Sequence, residues 1–246
     1  MSNEMTADQP RGSWAKRAAG LYDDAYARRY RDRDDQLEAV SSNQQLIDWL
    51  GSVCDRFDHS IDVLDLGCGT GRYFWGLRQV KSLTGLDASA PMLEEARRPI
   101  HAERLTATPI TLLQGDLMSY AFATSSFDLV YSIGVLGEHV PFDLAIARRV
   151  HEWLVPGGRV AFTAVHRDSF SVPRTTGRRF AEVLLPVSPS FIGRPLRERL
   201  LSRGLYVDER HLHDVLGAAA FDVESIERYE SDVHLHCLCV ARKITA

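Results

Sequence analysis

Between residues 61 and 165 the chain alternates two kinds of hydrophobic pattern. Short apolar-rich runs, "IDVLDL" (61–66), "SLTGLD" (82–87), "ITLLQGD" (110–116), "FDLVYSI" (127–133) and "RVAFTAV" (159–165), read as strands. The stretches at 70–80, 89–98 and about 142–154 read as helices. The second of these carries Ser89 as its N-cap and Pro91 in its first turn. Strands that alternate with helices form parallel βαβ units, so the expected fold class is α/β with a doubly wound sheet.

Both flanks depart from this rhythm. Residues 13–50 read as two helices, the first with Tyr22, Tyr26 and Tyr30 spaced along one face. The second runs from about Gln36 to Leu50, and Gly51 is the expected stop. At the other end a helix over 208–219 precedes two apolar-rich runs, "FDVESIERYE" (221–230) and "VHLHCLCVARK" (233–243). Only Ser231 and Asp232 separate them, which permits an antiparallel hairpin and forbids a parallel crossover. Residues 166–207 hold Pro173, Pro186, Pro189, Pro195 and one helical stretch (195–203), and read as a lid insertion.

Composition narrows the field. No apolar run reaches the ~18 residues of a membrane span, and the first residues lack the apolar centre of a signal peptide. Cys54, Cys68, Cys237 and Cys239 are too few and too irregular for a disulfide framework, so free thiols in a reducing cytoplasm are expected. The formal charge of −4 argues against a nucleic-acid partner. Over residues 167–210, however, nine arginines face five acids, a local +4. These arginines form either a solvated face or a surface for an anionic or polar substrate.

The chemistry concentrates after the first strand, in "VLDLGCGTGR" (63–72). Gly67, Gly69 and Gly71 let the turn adopt positive φ and let a ligand lie against bare backbone. Asp87 closes the next strand, where a carboxylate can accept both hydroxyls of a ribose. A nicotinamide-binding loop would place its third glycine where Arg72 stands, and no phosphate-cradling Lys-Ser/Thr loop is present. The site is therefore expected to take a nucleoside without a phosphate bridge.

These motifs resemble those of class I S-adenosylmethionine-dependent methyltransferases, over about residues 60–165 and, by topology, the C-terminal hairpin. The resemblance implies a Rossmann-like sheet of seven strands in the order 3-2-1-4-5-7-6 with the seventh antiparallel. It implies S-adenosylmethionine as cofactor, with Asp65 near the methionine amino group and Gly67, Gly69 and Gly71 beneath the methionine and ribose. By "GLDAS", Asp87 would hold the ribose hydroxyls, with Ala88 and Met92 beside the adenine. By "QGDL", Asp116 would accept from the adenine amine and Leu117 would offer its backbone N–H. In "FDLVYSIGVLGEH" the first residues, Ser132 among them, would line the transfer cleft. The small-molecule members often read Leu-Glu-His here, whereas this chain has Leu136-Gly137-Glu138-His139, so the extra glycine re-aims the last two. The implied organisation is a tail with cap helices (1–50) and a catalytic domain (51–246) carrying the lid 166–207.

Methyl transfer needs a base only where the acceptor must shed a proton. His139 is the leading candidate because an imidazole titrates near neutrality, and His166 at the end of the fifth strand is the second. Each has an alternative structural reading. Tyr22, Tyr26, Glu138 and His166 are candidate substrate contacts, although the tyrosine stripe equally reads as packing. The cluster "HLHCLC" (234–239) is not expected to bind metal, since alternation along a strand sends its histidines and cysteines to opposite faces. The segment after the fourth strand lacks the Pro-rich or Pro-Cys turns of base-modifying enzymes. A cytoplasmic monomer or homodimer acting on oxygen or nitrogen of a small-molecule acceptor, with no nucleic acid and no membrane, is the reading that results. A methyltransferase of RNA or protein and a catalytically silent cofactor-binding subunit remain as alternatives.

Overall fold

The computed structural model describes residues 22–34, 41–105, 109–170, 205–231 and 234–245. Its elements are α1 (Asp24–Asp34), α2 (Ser41–Cys54), β1 (Ile61–Leu66), β2 (Val80–Asp87), α3 (Ala90–Ala96), β3 (Ile110–Gln114), β4 (Phe127–Ser132), α4 (Leu144–Trp153), β5 (Leu154–Val165), α5 (Glu209–Ala218), β6 (Phe221–Glu230) and β7 (Leu235–Lys243). The seven strands form one sheet in the order β3-β2-β1-β4-β5-β7-β6. β1 to β5 pair in parallel, and β7 runs antiparallel to both β5 and β6. This is the doubly wound order expected from the sequence, with the hairpin where the short 230–235 connection requires it.

Apolar alternation along β1 explains the layering. Leu64 and Leu66 enter a core with Ile146, Val150 and Trp153 of α4 and Leu212 and Leu216 of α5. Ile61 and Val63 point the other way, toward Leu50 and Val53 of α2, Phe74, Leu129 and Val240. With both faces covered, the open carboxyl edge of the parallel strands is where polar side chains gather. The caps behave as their residues dictate. The Ser89 hydroxyl accepts from Met92 N, and Asp143 accepts from Ala145 N and Ile146 N.

Three expectations change. The helix expected over 70–80 is a single 3₁₀ turn, Phe74–Gly76. Its N–H groups reach back only three residues, Leu77 is already extended, and Gln79 adopts positive φ, so the short span to β2 closes without a full α-turn. Phe74, 1% exposed, anchors it in the core. Gly51 does not stop α2, which continues to Cys54 across residue 50, the expected end of the cap region. The Arg78 guanidinium lies over Gly51, 2.7 Å from where a Cβ would stand. The first helix begins at Asp24, just after Tyr22. The helix expected over 195–203 and most of the lid's arginines lie outside the described residues.

Candidate active site

β1 ends in Asp65, Leu66 and the glycine turn, and the turn is pinned to β2. Gly67 N and Cys68 N both donate to the Leu86 carbonyl, at 2.7 and 3.1 Å. Gly69, with φ +55°, donates its N–H to Asp87 Oδ2 at 2.9 Å, and Ser89 N donates to Oδ1 at 2.8 Å. The Asp87 carboxylate is thereby fixed between the two turns that follow β1 and β2, and each oxygen keeps lone-pair capacity for a ligand donor. A Cβ on Gly69 would meet only Met92 Cε, at 3.3 Å, so the backbone is open at this residue, whereas Val135 fills the Cβ position of Gly67 and Phe74 that of Gly71.

Asp65 lies on β1 between Gly85 of β2 and Tyr131 of β4 and is 3% exposed. Burial pushes its carboxyl up to about 8, offset in part by the Tyr131 hydroxyl and reinforced by the Asp87 charge. Burial raises Asp87 in the same direction, against the backbone donors that hold it. Two acids destabilised in their ionised form, beside open glycine backbone, suit a ligand that brings positive charge and hydroxyl donors. S-adenosylmethionine, with an ammonium group, a sulfonium and ribose hydroxyls, fits that requirement.

The third acid is held locally. Asp116 Oδ1 accepts from Met118 N at 2.9 Å, which fixes the turn containing Leu117. Ala88 accepts from Gln114 Nε2 through its carbonyl. Ser132 is 1% exposed and donates its hydroxyl to the Leu66 carbonyl at 2.8 Å. That hydroxyl laces β4 to the end of β1.

After β4 the chain makes a tight turn in which Glu138, His139 and Val140 all donate backbone N–H to Val135 O. Gly137 has φ +68°, and a Cβ there would lie 2.9 Å from the Ala164 Cβ of β5. The extra glycine is what lets this turn press against the sheet. It delivers His139 to Tyr22, whose hydroxyl lies 3.0 Å from His139 Nε2, with Glu138 Oε1 3.9 Å from the same nitrogen. Burial, with Tyr26, Tyr30, Glu138 and Asp87 nearby, holds the Tyr22 phenol well above its ordinary range, so its proton is retained. Tyr26 packs edge-on against Tyr22 and stacks with Tyr30.

His166 goes elsewhere. Its side chain is 2% exposed, and Nε2 lies 3.1 Å from Glu209 Oε2, whose other oxygen accepts from Arg228 Nε at 2.6 Å. Asp168 N donates to His166 Nδ1, so in the neutral ring the proton sits on Nε2 and is given to Glu209. His166, a candidate substrate contact from the sequence, is here the buried member of a cluster with Glu209 and Arg228. Cys237 joins that cluster, with a ligand atom within 4.8 Å of those of His166 and Glu209. Neither imidazole nitrogen presents a lone pair there, and burial pushes the Cys237 thiol up to about 12, so the trio is a poor metal site.

Sequence reasoning missed one participant, Asp34. This residue, buried at the end of α1, accepts from Thr70 Oγ1 and Arg72 Nε in the glycine turn, each at 2.5 Å. In the sequence it is one of three acids in the charged run Arg31-Asp32-Arg33-Asp34-Asp35, with nothing local to mark it.

Comparison with known proteins agrees with this arrangement. Residues 63–158 match the family described as methyltransferase domain. The chain is 27% identical over 170 residues to the demethylmenaquinone methyltransferase of Lactococcus lactis subsp. lactis, covering 67% of this chain and 66% of that one. It is 35% identical over 108 residues to the ubiquinone biosynthesis O-methyltransferase of Vibrio cholerae serotype O1, covering 43% and 42%. It thus spans less than two thirds of the length of either relative. Among solved structures, magnesium protoporphyrin IX methyltransferase from Synechocystis PCC 6803 with bound SAH superposes with a TM-score of 0.66 at 18% identity, over 94% of this chain and 99% of that one. Residues 63–158 thus match a methyltransferase domain, and the fold around them is shared with a solved methyltransferase.

Proposed function

We propose that the protein is an S-adenosylmethionine-dependent methyltransferase acting on an oxygen or nitrogen of a small-molecule acceptor. The observation that carries this reading is the Asp87 carboxylate, clamped between Gly69 N and Ser89 N at the mouth of an open glycine turn. When bound, S-adenosylmethionine supplies a methyl group on a sulfonium, already activated for in-line displacement. Asp87 would hold the ribose hydroxyls, ionised Asp65 would pair with the methionine ammonium, and Asp116 with Leu117 N–H would read the adenine. Met92 packs on the turn beside them.

On the acceptor side the chain must orient the nucleophile and receive its proton. His139 is that proton acceptor through Nδ1, in the tautomer whose Nε2–H is given to the Tyr22 oxygen. Tyr22 fixes the imidazole by the 3.0 Å hydrogen bond, and Glu138 stabilises the imidazolium that forms. Tyr26 backs Tyr22 through its ring and shapes the aromatic wall. The small-molecule assignment is supported by the relatives named above and by the acidic character of this edge. No helix among the described residues is long and apolar enough to cross a membrane. Incubation with methyl-labelled S-adenosylmethionine and a metabolite extract tests the reading. Label is expected in a small-molecule fraction, and label confined to RNA or protein would reject it.

A further inference from the structure

The first helix is tied to the carboxyl edge at three separate points, and none of them is a simple apolar contact. At its C-terminal end Asp34, with a fully buried side chain, bonds Thr70 and Arg72 of the turn after β1. Arg72 is also held by the Tyr30 ring, 4.1 Å beneath its guanidinium carbon. At the helix start the Tyr22 carbonyl accepts from Ser89 Oγ at 2.7 Å, and Ser89 is the residue whose N–H holds Asp87. The Tyr22 hydroxyl meets His139 after β4. One short segment therefore touches the turns that follow β1, β2 and β4, the first two of which frame the cofactor and the third the acceptor.

We propose that Asp34 is a positioning residue for the glycine turn, and that residues 22–34 act as a clasp coupling occupancy of the cofactor site to the placement of His139. The inference rests on the reading given under Proposed function. Its physical basis is that the Arg72 guanidinium sits in a mostly buried place and is ion-paired there with the fully buried Asp34 carboxylate. Buried charge tolerates little displacement of its partner, so the positions of α1 and of the turn are set together. A ligand that orders the turn then favours the docked helix, and by thermodynamic reciprocity the docked helix favours the ligand. Arg72, which excludes a nicotinamide-type glycine pattern, is by this account the residue that lets the turn be held from outside.

The test uses the full chain and S-adenosylhomocysteine as probe. Amide hydrogen exchange across residues 24–34 is expected to slow when the probe saturates the wild-type protein. Asp34→Asn and Arg72→Met are each expected to weaken probe binding about tenfold by calorimetry. The double variant is expected to be no weaker than either single one, because both remove the same bridge. Wild-type affinity in Asp34→Asn, even with a lowered melting temperature, would reduce the residue to a structural role and overturn the proposal. So would unchanged exchange over 24–34 in wild-type protein that binds the probe, a measurement that needs no variant to fold. Failure of the wild-type protein to bind the probe at all would instead remove the underlying function, and the clasp with it.

Discussion

The two halves of the sheet's carboxyl edge solve their polar problems differently. After β2 and β3 the acids are held by backbone N–H groups of the edge turns: Asp87 by Ser89 N and, across to the turn after β1, by Gly69 N, and Asp116 by Met118 N. After β4 and β5 the histidines are held by distant residues, His139 by Tyr22 and His166 by Glu209. Local frames of backbone donors build a site of fixed shape for a ligand common to many proteins. Distant partners build a site whose form depends on how the flanking segments pack, and there a new acceptor can be accommodated without disturbing the first half.

The strongest way to break this contrast is Asp87→Ala, which removes a charged acceptor from two hydroxyl bonds. Affinity for S-adenosylhomocysteine should fall by about a hundredfold or more, read by calorimetry, with the far-ultraviolet circular dichroism unchanged. In the other half His139→Ala should leave that affinity within about twofold and lower kcat by roughly a hundredfold on the acceptor found by labelling. His166→Ala should show the opposite signature. Loss of its buried bonds costs about 2 kcal/mol of stability, seen as a lower melting temperature, with cofactor affinity retained.

This division also governs what could be read from the chain. The strands, the Ser89 cap and the glycine turn were legible because each rests on alternation or on local residue chemistry. Asp65, Asp87 and Asp116 were visible as acids at or near strand ends, and the strand order followed from the family resemblance. The aborted helix at 74–76 was not legible, because closure to β2 is a matter of available span rather than propensity. Neither Asp34 nor the fate of His166 was legible, since their partners stand 36 to 43 residues away. The glycine inserted at 137 could be seen to re-aim its neighbours, but its reason, contact with Ala164, needed the packed sheet.

Two smaller effects sharpen the comparison. Asp65 is protonated in the free protein below about 8 and must be ionised to pair with an ammonium. Affinity for S-adenosylhomocysteine should therefore rise with pH, by up to about tenfold per unit between pH 6 and 8, and level off above. Calorimetry in buffers of different ionisation enthalpy should register proton release on binding within that window. Flat affinity across it would remove Asp65 from the ammonium site. Tyr22→Phe deletes one neutral hydrogen bond to His139, so kcat should fall about two- to tenfold with cofactor affinity nearly unchanged.

The central claim is that open backbone after β1, together with the strand-end carboxylates, receives an adenosine donor lacking a phosphate bridge. Parallel calorimetric titrations of the wild-type protein at pH 8.5 with S-adenosylhomocysteine and with reduced nicotinamide dinucleotide address it directly. Saturable binding of the first at one site, with no binding of the second, is the predicted result. Binding of the dinucleotide alone, or of neither, would contradict it.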